Sequence, residues 1–169
     1  MKCTSAQAGK FLKKLNDDLT AVLKREQISK EFVVSVGEDV EGVRPAYDFS
    51  TTQKEIDAIQ KKIRTVKHAL NVFNATTVIP EFNITIDEML ILIPQLTKCK
   101  DRLESMKDLL PKMRLNGGYA RTTTIVEYRY LNYDVVKAQA EYDRVAETLS
   151  KAQTALDVVN NSIVFDIEI

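Results

Sequence analysis

Tryptophan is absent from this 169-residue chain, histidine occurs once, and there are only two cysteines. Five glycines and four prolines are too few to break the chain into short pieces, so long uninterrupted elements are expected. Neither sign of charge is in excess: 24 lysines and arginines face 24 acids. A nucleic-acid binder carries a basic surplus, so no nucleic-acid partner is expected. No apolar run approaches the ~18 residues that span a bilayer, and membrane insertion is not expected either. The opening MKCTSAQAGKFLKKLNDDL lacks the apolar core of ~7–15 residues that marks a signal peptide. A cytoplasmic protein with Cys3 and Cys99 as reduced thiols is the expectation. The Asn-x-Ser/Thr triplets at Asn74, Asn83 and Asn160 then read as chance matches.

What remains is 44% apolar and 28% charged, the make-up of a folded globular chain. One domain, residues 1–169, is the natural expectation, and it is long enough to bury a core. The clearest periodicity runs over 133–160. Val135, Ala138, Tyr142, Val145, Leu149, Ala152, Leu156 and Val159 step alternately by three and four, which keeps one apolar seam along a helix. Asn132 suits its N-cap, and Asp134 suits the positive end of the helix dipole.

Residues 52–76 repeat the pattern through Ile56, Ile59, Ile63, Val66, Leu70 and Phe73, with Thr52 and Glu55 spaced as a capping box. Residues 85–114 open on a second box, Thr85 with Glu88, and carry a seam from Ile86 to Met113. The step from Leu96 to Cys99 is three where four is due, and Pro94 lies just before it, so a kink is expected there. Pro111 should disturb the last turn. The first helix starts at a third box, Thr4 with Gln7, and Phe11, Leu12, Leu15, Leu19, Val22 and Leu23 give it one apolar face. The fold class is therefore mainly α: an antiparallel bundle of four long helices, with a few short β-strands in the connections and at the C-terminus.

The strands are the less regular part. The terminal NNSIVFDIEI alternates, with Phe165, Ile167 and Ile169 on one face and Asp166 and Glu168 on the other. TTTIVEYRY, 122–130, is strand-like, EFVVSV, 31–36, is a shorter candidate, and TTVIPEF, 76–82, is weakened by Pro80. In an up-down-up-down bundle, 31–50 and 115–132 share one end, so 31–36 can pair with 122–130. The terminal strand is left with the poor candidate near Pro80. An apolar edge without a good neighbour invites a second subunit, so a homo-oligomer is expected, most simply a dimer.

Chemistry is thinly represented. His68 lies off the seam and reads as a solvated or rim histidine. Cys99 falls on a seam and reads as a buried structural thiol. Glu38, Asp39 and Glu41 in GEDVEG do not have the calcium-loop spacing and read as a solvated acidic turn. NGGYARTTT, with Arg121, lacks the Gly-Lys-Ser/Thr of a phosphate loop. No catalytic, cofactor-binding or metal-binding residues are assigned, no cofactor is implied, and the chain reads as non-enzymatic. Charge is uneven along it: 4–30 and 51–76 are each net +3, 31–50 is net −4 and 133–160 is net −2.

FLKKLNDDL, NVFNATT, TIDEMLILIPQLTKCKDRL, the GYARTTTIVEY joint and the Asn-containing acidic tail together resemble the septicolysin-like family of small bacterial proteins of unknown function. The resemblance covers most of the chain but not 31–50, which is longer and more apolar. It implies no catalytic residues, and its name implies haemolysin-like membrane activity. Three functions follow as expectations: an assembly or protein-interaction protein first, a membrane-active protein second, and a small-ligand binder at the 117–130 joint, near Arg121, Tyr128 and Tyr130, third.

Overall fold

The computed structural model describes residues 1–115 and 126–169. Four long helices and one short one carry most of them. They are α1 (Ser5–Ser29), α2 (Val40–Val43), α3 (Phe49–Thr76), α4 (Ile86–Lys107) and α5 (Val135–Ser162). The strands are β1 (Lys2–Thr4), β2 (Val78–Ile79), β3 (Ile84–Thr85), β4 (Lys112–Leu115), β5 (Glu127–Tyr130) and β6 (Val164–Asp166). They form antiparallel pairs: β1 with β6, β2 with β3 and β4 with β5. The chain divides into two compact units, Met1–Thr77 with Val158–Ile169, and Val78–Asp157.

Helix starts follow side-chain oxygens. Thr4 and Thr85 cap α1 and α4, each in a complete capping box with Gln7 and Glu88. The other two long helices begin elsewhere than expected. α3 is capped by Asp48, whose carboxylate accepts from Thr51 N at 2.6 Å, so the helix begins before the Thr52–Glu55 pair. Thr52 is buried instead, and its hydroxyl donates to Asp48 O. At α5 it is Asp134, not Asn132, that accepts from Val136 N and Lys137 N. In both places the carboxylate sits next to the first turn, where it meets the free N–H groups and the positive dipole end together.

In the first unit α1 and α3 pack antiparallel. Arg25 near the end of α1 pairs with Glu55 near the start of α3. Leu15, Ala8 and Cys3 join Ile63, Val66 and Ile167 in one buried cluster. β6 closes it: Phe165 lies opposite Cys3 in the strand pair and stacks on Phe73, ring centroids 4.4 Å apart. Ile167 N donates to Met1 O, and Met1 N donates to Ile167 O.

The terminal strand therefore pairs within its own chain, against the expectation that only the segment near Pro80 could reach it. The expectation counted the connections at each end of the bundle. It left out the residues before α1, which lie at the same end as the close of α3. Three residues are also too few to announce a strand by alternation.

In the second unit α4 and α5 face each other antiparallel. Tyr133 OH donates to Met106 O at 2.9 Å, and Lys100 and Lys107 lie over the Tyr142 ring at 6.0 and 4.2 Å. α4 continues through Pro94 but stops at Lys107, short of the expected 114. Pro111 has no N–H and cannot extend a helix, so 112–115 becomes β4. β5 pairs with this neighbour rather than with 31–36, which forms no strand. Closing a local hairpin costs less chain entropy than closing a contact across the sequence. Residues 122–125 of the strand expected at 122–130 lie outside the described residues. Near Pro80 a short hairpin does form. Pro80 itself sits in the four-residue turn, where its fixed φ is an asset, and Asn83 takes the left-handed conformation, φ 51°.

Candidate functional site

The segment between α1 and α3, residues 30–48, is hydrogen-bonded at a few points and leaves most of its apolar side chains in water. Lys30 caps α1, its N–H donating to Glu26 O. Ser35 to Glu38 make a β-turn, with Glu38 N donating to Ser35 O and Gly37 at φ 96° in the position that needs a left-handed residue. The Glu38 carboxylate accepts from Ser35 N at 2.9 Å. Asp39 caps the short helix α2. Arg44 donates through two nitrogens to Glu41 and lies over the Phe32 ring at 5.5 Å. Tyr47 OH and Gln53 Nε2 both donate to Glu26. Burial and the nearby Glu26 push the Tyr47 hydroxyl above its ordinary pKa. The hydrogen bonds from Thr51 hold Asp48 below the usual carboxylate range.

On this pinned backbone Val33 is 95% exposed and Val36 fully exposed at the tip of the turn. Val40, Val43 and Phe49 are exposed as well. Single exposed apolar side chains are ordinary; here Val33, Val36, Val40 and Val43 follow one another along a single connector. Residues 31–36, a shorter strand candidate by sequence, form no strand. The buried cluster of the first unit draws on α1, α3 and the terminal segments and includes no residue of the connector.

The residues weighed for chemistry do not converge. His68 is exposed, at the edge of a shallow groove of about 580 Å³ lined also by Arg64, Thr65, Asp166 and Glu168. Cys3 is the buried thiol, pushed above its ordinary pKa by burial. Cys99, expected to be buried, is partly exposed and accepts from Arg102 at 3.8 Å. Glu38, Asp39 and Glu41 are each spent on a backbone N–H or on Arg44 and do not converge on a cation. Among the described residues no group of three or more potential ligands could hold a metal ion. Arg121 and most of the 117–130 joint lie outside the described residues. Tyr128 and Tyr130 lie on β5 with ring centroids 6.4 Å apart. No helix among the described residues is long and apolar enough to cross a membrane.

No family model and no curated protein matches the chain. A solved structure, that of a functionally unknown conserved protein from Corynebacterium diphtheriae, is similar in fold. The match covers 98% of this chain and 100% of that one, with a TM-score of 0.61 at 14% identity. It speaks for the fold alone, and no characterised function accompanies it.

Proposed function

We propose that this protein is a non-enzymatic interaction protein whose contact surface is the connector between α1 and α3. One observation carries the reading: Val33 and Val36 stand in solvent on a connector whose Ser35–Glu38 turn is closed by hydrogen bonds. A flexible loop would lose conformational entropy on docking; a connector pinned at Lys30, Glu38, Asp39 and Asp48 has lost much of it already. The reading includes a cytoplasmic setting, which two unpaired thiols favour. The likeness to the septicolysin-like family is compatible with it and supplies its rival, a membrane-active protein.

The test compares wild type with a Val33→Ser, Val36→Ser double variant in capture of proteins from the source cell and in dye release from lipid vesicles. The reading expects an unchanged melting temperature, loss of captured proteins and no dye release by either form. Capture that survives the substitutions refutes it. Dye release that depends on the two valines replaces it with the membrane-active reading.

A further inference from the structure

We propose that the connector's partner is a second copy of this chain, and that it docks on the basic, aromatic face of the β4–β5 hairpin. The inference rests on the interaction reading above and names its occupant. In the hairpin Lys112 lies opposite Tyr130 and Arg114 opposite Tyr128. Residues directly opposite, and those two apart along a strand, share a face, so the four side chains form one patch. Lys112 Nζ lies 4.3 Å from the Tyr128 ring centroid and 5.3 Å from that of Tyr130. All four side chains are exposed, Tyr130 by 63%. Tyrosine and arginine are the side chains that most often dominate binding energy. A two-stranded ribbon is marginal unless something covers a face.

The connector is the complement. Residues 31–50 hold five acids against one base. The two hairpin strands hold Lys112, Arg114 and Arg129 against Glu127. The hairpin strands are thus basic where the connector is acidic, and both segments are exposed and apolar in part. Val33 and Val36 supply the aliphatic surface that tyrosine rings pack against. Each copy carries both patches, so the connector of one copy has its complement on the hairpin of another. Cations interleaved with aromatics also suit single-stranded nucleic acid. The neutral chain and the acidic patch on the same molecule favour self-docking.

Sedimentation of the full chain and two charge-reversed forms tests the proposal. One form reverses the hairpin, Lys112→Glu with Arg114→Glu; the other reverses the connector, Glu31→Lys with Glu38→Lys and Glu41→Lys, which leaves residues 31–50 two acids against four bases. Wild type should self-associate, less so at high salt. Each reversed form alone faces like charge with like charge and should sediment as a monomer. An equimolar mixture restores both contacts and should associate again. Tyr130→Ala, which leaves the charge alone, should weaken wild-type association. Matching thermal melts establish that all forms are folded.

A monomeric wild type, association indifferent to the reversals, or a mixture that stays monomeric each overturns self-docking. So does association that appears only with added single-stranded DNA. If wild type is monomeric yet the two valines still govern capture of other proteins, self-docking fails and the interaction reading stands. If the valines govern nothing, both fall.

Discussion

Replacing Ile167 by alanine should destabilise the first unit by more than any other change in the tail. Ile167 is 1% exposed and lies in one cluster with Cys3, Ala8, Leu15, Ile63 and Val66. The substitution deletes an ethyl and a methyl group, worth roughly 2.4 kcal/mol at about 0.8 kcal/mol per buried carbon. The cavity left behind adds to this, and truncations of this kind cost about 2–5 kcal/mol in all. Taking about 3 kcal/mol, and about 2–4 °C per kcal/mol for a chain of this size, the melting temperature should fall by roughly 6–12 °C. The backbone bonds between Ile167 and Met1 survive the change, so the loss reports packing alone.

Ile169→Ala is the control. It lies two residues on, on the face that alternation alone assigns to it, yet it is 56% exposed. Its cost should stay within about 0.5 kcal/mol. Thermal melts followed by circular dichroism, with urea titrations beside them, measure both. Equal effects, or a silent Ile167→Ala, would refute the clustering of the tail with α1 and α3.

Leu149→Ala on the seam of α5 should lower the melting temperature clearly, and Glu147→Ala, exposed beside Lys151, should change it little; equal shifts would overturn the seam. A thiol reagent should label Cys99 well before Cys3, whose thiol is buried and raised in pKa; equal rates would put Cys3 at the surface. Thr85→Ala should cost about 1 kcal/mol through the lost cap of α4, read from urea midpoints. Hydrogen bonds from Thr85 hold the Glu88 carboxyl below its ordinary pKa. Its contribution is therefore full above the ordinary value and is lost as pH falls through the lowered one. The stability gap between wild type and Glu88→Gln should narrow on acidification, and a widening gap would sink the capping-box account.

Helix existence and helix faces were legible in the chain because they depend on residues three and four apart. Every position of the α5 seam from Ala138 to Val159 is buried apart from Tyr142, which is partly so, and the Thr4 and Thr85 boxes form as spaced. Such signals survive any tertiary arrangement that buries one stripe of each helix. Choices between near-equal local options were less legible. Asp48 outcompeted Thr52 for one cap, and Asp134 outcompeted Asn132 for another, because a carboxylate also gains from the helix dipole.

Strand pairing and exposure were decided only by the tertiary structure. β1 has three residues and no periodicity to read; it is a strand because β6 lies beside it. β4 was helical by pattern until Pro111 and the nearby β5 offered its backbone a different set of hydrogen bonds. Val33 and Val36 have the same composition whether they lie inside a sheet or in water. Only the packing of α1 against α3, with its core already filled by Leu15, Ile63, Val66 and Ile167, leaves them outside. Local spacing is a property of the chain itself. What an apolar side chain meets depends on which surfaces the rest of the chain has already covered.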